Sequence, residues 1–192
     1  MTLVTSTAFH HDVPFETLPR LATPPDERPQ LTARPVISMP DVLLMGHIRH
    51  ECRAGFSHDT TPIDDRRQEA WWRTNHSRVE AWLFDDGTGA TVGYGALLQQ
   101  FDGRWVSSVA VLPGFGGRGH GKAITTWLVA VSCDHEVYAR ARQDNPAAQK
   151  LHDPLVWDTI GADEANIYYR TKAKIRREQV ALNLDHAGWL GQ

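Results

Sequence analysis

P-G-F-G-G-R-G-H-G-K, residues 113 to 122, is the stretch whose reading decides the fold, and half of its ten residues are Gly. An alternating apolar run, Trp105 to Leu112 (W-V-S-S-V-A-V-L), precedes it, and a helix-like run, Ala123 to Ser132, follows. A strand, a glycine-dense turn and a helix start together make a phosphate cradle. Gly reaches positive φ and lets backbone N–H groups come close to an anion, and the helix N-terminus adds its partial positive charge. Arg118 and Lys122 place full charges beside it.

Two other phosphate motifs are incomplete. Gly116 to Lys122 approaches G-x-x-x-x-G-K-[ST], but Ala123 stands where a Mg²⁺-binding hydroxyl is needed. Gly114, Gly116 and Gly119 spell G-x-G-x-x-G, yet no acid follows a second parallel strand about 20 residues on. The candidate segment, Val131 to Tyr138, leads into Arg140 instead. ATP and nicotinamide binding are therefore disfavoured.

Working outward, the chain reads as strand Leu31–Ser38, with Pro35 marking an edge or bulged strand, then a helix over Val42–Arg53 capped by Asp41. A second helix, Asp64–Thr74, carries Trp71 and Trp72, one expected in the core and one near a ligand cleft. Val79–Phe84, Thr91–Gln100 and Trp105–Leu112, joined by D-D-G-T-G-A and Asp102-Gly103, form an antiparallel meander. Strand Glu136–Ala141 follows the glycine loop and its helix. Asn145-Pro146 starts another helix, ended by Pro154, and Ile167–Thr171 is the last strand. Residues 1–30, with five Pro, read as an extended arm; residues 31–171 form the domain; residues 172–192 read as a helical tail. The tail's Lys172, Lys174, Arg176 and Arg177 are read as a solvated face, because Glu178 and Asp185 interrupt them.

The chain has 192 residues, 41% of them hydrophobic, and a net charge of −3, which suits one packed domain and gives no global attraction to nucleic acid. Cys52 and Cys133 are the only cysteines and read as reduced thiols. With no signal-peptide segment and no apolar run of membrane-spanning length, a cytoplasmic setting is expected. His47-x-x-His50 shares a helix face, but no third ligand stands at a recognisable spacing, so no metal is expected.

V-A-V-L-P (Val109 to Pro113), G-G-R-G-H-G (Gly116 to Gly121) and Asn145-Pro-Ala-Ala148-Gln-Lys-Leu151-His152, in this order and spacing, resemble the GNAT family of N-acetyltransferases. The family writes these blocks as a strand ending in Pro, a [QR]-x-x-G-x-[GA] loop and an N-x-x-A-x-x-L-Y helix. The likeness spans roughly residues 31 to 170, most firmly 105 to 152. It implies a three-layer α/β (α+β) fold. A mixed, mostly antiparallel sheet of six to seven strands, its fourth and fifth strands splayed, would lie between helices. It also implies an acetyl-CoA-dependent N-acyltransferase. Gly116, in place of Gln or Arg, lacks one polar contact to the pyrophosphate. His152 replaces the usual Tyr.

The resemblance implies that Gly116, Gly117, Arg118, Gly119, His120, Gly121, Lys122 and Asn145 hold the donor. Backbone groups of Val109 and Val111 would pair with its pantetheine arm, and the Val111 N–H would polarise the thioester oxygen. His152 would protonate the leaving thiolate if its imidazolium persists; the alternative is that it packs behind Leu151. Tyr138 is a weaker substitute. Some relatives place a Glu where this chain has Arg140. Arg140 and Arg142 share one strand face by period two; they either line the acceptor cleft, suiting a carboxylate or phosphate, or pair with neighbouring acids. Trp72 is the other acceptor-side candidate. A water chain, His58, Asp59 or Glu69 would take the amine's proton. The expected acceptor is a small amine such as an amino sugar or amino acid. Protein or nucleic-acid amines are alternatives, as is an idle acyl-CoA sensor. Homodimers are common in the family, but no exposed stripe here commits to one.

Overall fold

The three runs between Val79 and Val111 fold as the expected meander, and the rest of the sheet is built on it. In the computed structural model, which describes residues 30–56, 60–132 and 135–172, the strands are β1 (Leu31–Pro35), β2 (Val79–Asp86), β3 (Thr91–Gln99), β4 (Trp105–Val111), β5 (Val137–Arg142), β6 (Trp157–Ala162) and β7 (Asn166–Thr171). They form one seven-stranded sheet in the order β1-β2-β3-β4-β5-β7-β6. Every pairing is antiparallel except β4 with β5. The helices are α1 (Met39–Cys52), α2 (Asp65–Asn75), α3 (His120–Val131) and the short α4 (Pro146–Gln149).

Alternation along the strands sends side chains to two separate cores. On one face, α3 sets Ile124, Trp127 and Leu128 against Trp82, Phe84, Val137 and Ala139. Trp127 meets Trp82 and Phe84 edge-on, at centroid distances of 4.7 and 5.3 Å. On the other face, α1 sets Val42, Met45 and Ile48 against Ala81, Leu83, Tyr94 and Ala110. Val42, Ile48, Leu83, Phe84 and Ile124 are fully buried, and each such side chain contributes roughly 1.5–3 kcal/mol. The second core holds residues of β2, β3 and β4 but none of β5, β6 or β7. Among the described residues, that half-sheet contributes nothing to the core beneath α1.

One topological feature positions the site. β4 pairs with β3 along its whole length, from Trp105↔Gln99 to Val111↔Gly93. β5 likewise pairs with β7 from Tyr138 to Arg142. Between them, β4 and β5 pair only at Trp105↔Val137 and Val106↔Tyr138. Beyond that point they part, and a gap opens toward Val111.

Three local expectations are corrected. Helix α1 begins earlier than Val42, because the cap is Ser38 rather than Asp41: Asp41 is the third helical residue of a capping box whose carboxylate accepts from the Ser38 N–H at 3.2 Å. The helix after Asn145 ends at Gln149, well before Pro154, in a turn that leads Val156 and Trp157 N–H groups onto the Asp153 carbonyl, both at 2.8 Å. Strand β6 has no counterpart in the sequence reading. As an edge strand it buries only Trp157 and leaves Ile160 exposed, so no apolar alternation announces it. The arm and tail lie outside the described residues, as do His58, Asp59 and Cys133.

Candidate functional site

The open edge of β4 is the first component. The Leu112 N–H donates to the Val92 carbonyl at 2.9 Å, on the β3 side. Backbone groups alternate sides along a strand, so the N–H groups of Val111 and Val109 face the gap. The Val111 carbonyl accepts from the Cys52 thiol at 3.3 Å, which ties the end of α1 to this edge. Burial, with a contribution from Glu51, pushes that thiol up to about 11. It is a protonated clasp and not a nucleophile at neutral pH.

The glycine loop follows directly. Pro113–Phe115 make a tight turn in which the Phe115 and Gly116 N–H groups donate to Leu112 and Pro113 carbonyls at 2.9 and 3.2 Å. Gly117 and Gly119 then take φ of +76° and +83°, a region that side chains disfavour. Helix α3 starts at His120 with Gly119 as a cap that offers no side chain. The Ala123 N–H makes the first bond back, to the Gly119 carbonyl. The N–H groups of His120, Gly121 and Lys122 thus lie ahead of any intrahelical acceptor. A Cβ on Gly121 would sit 2.9 Å from Leu151 Cδ2 and 3.7 Å from Val111 Cγ2, so its bareness lets the helix start close down beside the gap.

The charged and aromatic neighbours divide by role. His120 is buried and donates Nδ1–H to the Phe115 carbonyl at 3.1 Å, which pins the loop. Arg118 lies over the Phe115 ring at 5.8 Å. Lys122 pairs with Asp153 at 3.0 Å. This strand edge and loop can take an elongated ligand with an anionic end: a backbone edge along β4, then N–H groups and the Arg118 guanidinium at the helix start.

Across the gap, Asn145 caps α4 through Oδ1, which accepts from the Ala148 N–H at 3.0 Å, and its amide donates to the Gly55 carbonyl at 3.2 Å. Arg142 reaches the Ala54 carbonyl at 3.2 Å and grips Asp144 with Nε at 2.7 Å and with Nη2. Both residues bridge from the β5 side to the turn after α1, and Arg142 is a clasp. Arg140 lies on the same face and is exposed. Trp71 and Trp72 are both half-buried and pack against the core beneath α1, together with Cys52 and Leu112. Tyr138 lies at the closed end of the strand pair, its hydroxyl bonded to Glu136 at 2.9 Å.

The surroundings of His152 work against the imidazolium that the donor role needs. Its ring stacks on Tyr169 at 4.1 Å and meets the Trp157 edge at 5.0 Å. Burial pushes it down to about 4. Its Nδ1 lies 3.1 Å from the Ala148 carbonyl and must carry the hydrogen of the neutral ring, which leaves Nε2 an acceptor. Glu69 pairs with Arg73 at 2.5 Å, and His50 Nδ1 accepts from the Ile63 N–H at 3.1 Å. Among the described residues no cluster of three or more His, Cys, Asp or Glu is placed to hold a metal. No helix among them is long and apolar enough to cross a membrane. Cys52 is the site residue that sequence reasoning missed, because only packing brings the end of α1 onto β4.

The sequence profile of the acetyltransferase (GNAT) family matches residues 45–155. No curated protein matches the sequence. Among solved structures, the fold is similar to YncA from Salmonella typhimurium, solved with acetyl-CoA (TM-score 0.62, 18% identity, 74% of this chain and 94% of that one). It is similar to a phosphinothricin acetyltransferase from Sinorhizobium meliloti in complex with acetyl-CoA (TM-score 0.60, 18% identity, 73% and 86%). It is also similar to spermidine N-acetyltransferase from Vibrio cholerae in complex with CoA and spermine (TM-score 0.62, 13% identity, 73% and 94%).

Proposed function

The chain belongs to the acetyltransferase (GNAT) family, and from that premise we propose that it transfers an acetyl group from acetyl-CoA to a primary amine of a small molecule. The observation that carries this reading is the gap between β4 and β5, with the glycine loop at its open end. The donor supplies an activated acyl carbon and a thiolate leaving group. The chain's own contribution is largely backbone. N–H groups of Gly117, Gly119, His120, Gly121 and Lys122, with Arg118, hold the diphosphate. The open edge at Val109 and Val111 pairs with the pantetheine arm as one strand pairs with another. The Val111 N–H donates to the thioester oxygen, and the Cys52–Val111 bond holds that peptide in orientation.

Proton management is correspondingly light. A C–N bond forms, the C–S bond breaks, and the amine proton passes to water at the cleft mouth. A thiol of pKa near 8.5 leaves as thiolate without an obligatory acid, so a neutral His152 is no obstacle. Holding amine and thioester together in the gap supplies the rate.

The test is thiol release from acetyl-CoA by the full chain across amino acids, amino sugars, polyamines and peptides. Turnover with small amines supports the reading. Binding of acetyl-CoA without turnover on the whole panel would replace it with a donor-binding sensor.

A further inference from the structure

The turn that joins β6 to β7 is tied by one acid, and two acceptor groups left over beside it line a cleft. The Asp163 carboxylate accepts from the Ala165 and Asn166 backbone N–H groups at 2.9 and 2.8 Å and from the Tyr168 hydroxyl at 2.5 Å. It also takes the Asn166 side-chain amide, through the nitrogen, since a carboxylate only accepts. Asn166 is 7% exposed, and its Oδ1 has no hydrogen-bond partner among the described residues. A buried acceptor in that state favours an incoming N–H donor. Glu164, the residue after Asp163, is exposed and makes no hydrogen bond or ion pair among the described residues.

Glu164 and Asn166 line a cleft of about 390 Å³, together with Phe56, Thr60, Arg142 and Asp144 among others. Arg142 and Asp144 pair with each other, so Glu164 gives the lining one net negative charge. The cleft stands at the height where the acyl group would lie. β5 runs parallel to β4 from Val106↔Tyr138, which puts Arg142 level with Ala110, next to Val111. Asn166 is directly opposite Arg142 on β7 and shares its face, the one turned away from Ala139 and Ala141 of the α3-side core. β7 is the second strand from β4, so the cleft lies about 10 Å or more from the β4 edge.

We infer that this cleft holds a second cationic nitrogen of the acceptor, with Glu164 taking its charge and Asn166 Oδ1 in the wall accepting an N–H, while the reacting amine lies in the gap. The inference rests on the acyl-transfer reading and names its substrate class, an elongated diamine or polyamine. An acceptor that ends in a carboxylate meets Glu164 and is disfavoured.

Three acceptors of one length test it with the full chain and acetyl-CoA: α,ω-diaminooctane, octylamine and ω-aminooctanoate, which end in a cation, a methyl group and an anion. The diamine is expected to exceed octylamine about tenfold or more in kcat/KM, with the aminooctanoate lowest. Diaminopropane, too short to span from the gap to β7, should lose the advantage. Glu164→Gln should cut the diamine-to-monoamine ratio about fivefold, the upper worth of an exposed ion pair, chiefly through KM. Glu164→Asp should keep part of it, Asn166→Ala should also lower it, and Asp102→Asn, in the β3–β4 turn at the closed end, should leave it unchanged. Glu164 is exposed, so its variants keep the fold and decide the matter even where Asn166→Ala does not fold. Equal use of diamine and monoamine, a preference for the aminooctanoate, or an unchanged ratio in Glu164→Gln overturns the inference. Calorimetric titration of the CoA-loaded chain with diaminooctane separates the two levels. Diamine binding that weakens in Glu164→Gln, without thiol release from acetyl-CoA, removes acyl transfer and keeps the cleft. Thiol release with no preference for the diamine removes the cleft and keeps acyl transfer, and neither binding nor release removes both.

Discussion

Replacing Gly119 by Val probes the anion cradle at its most constrained point. Gly119 has φ of +83° and ψ of −6°, and it is the residue from which α3 departs. An ordinary L-residue held in this left-handed region costs roughly 1–2 kcal/mol, and a β-branched one more. That strain has two outlets. If the loop keeps its shape, the whole chain loses stability, and each kcal/mol lowers Tm by roughly 2–4 °C for a domain of this size. If the loop relaxes instead, the strain is met on binding, and acetyl-CoA affinity falls by roughly 5- to 30-fold. The two losses together should account for the strain. Calorimetric titration with acetyl-CoA and a thermal melt on the same sample measure both. Gly119→Asn, which tolerates positive φ, should lose less on each. A Val variant matching the parent in both Tm and affinity would refute the backbone cradle.

Three further outcomes follow from buried groups. His152 falls from 6.5 to about 4 on folding, so the stability its neutral form preserves is complete above pH 6.5 and is lost as pH drops toward 4, by roughly 3 kcal/mol in all; His152→Phe should flatten that acid limb in denaturant melts, and a parent-minus-variant difference that is the same at pH 7 and pH 4 contradicts it. Glu80 is raised from 4.5 to about 7 by burial, and its Oε2 has no hydrogen-bond partner among the described residues. Its contribution is therefore full below pH 4.5 and is lost as pH rises through 7, so Glu80→Gln should raise Tm at pH 8 and not at pH 4. A thiol at about 11 should make Cys52, in a Cys133→Ser background, react with iodoacetamide at pH 7.5 about 100-fold more slowly than a free thiol; labelling at the free-thiol rate would deny it the buried bond to Val111.

Much of the architecture was legible because it rests on local physics. The meander followed from alternation interrupted by Asp-Gly turns, and the glycine loop followed from residue types that alone accept positive φ beside a helix start. The Ser38 cap is also written locally, as S-x-x-D, although Asp41 by itself is an equally acceptable cap residue. Edge strand β6 was not readable, since burying one Trp leaves no periodic trace. The lowered His152 pKa comes from burial against two aromatic rings, Trp157 of β6 and Tyr169 of β7, around a ring the sequence places only next to Leu151.

By itself, the sequence determined every strand but β6, the glycine turn before α3 and the family, because propensity, turn residues and motif spacing act over a few residues. Only the tertiary structure decided that β4 and β5 pair for two residues and then part, that Cys52 reaches the Val111 carbonyl, and that Arg142 reaches across to the Ala54 carbonyl. Each of these depends on which groups lose water and which strand edges find partners, and residues far apart in the chain settle both.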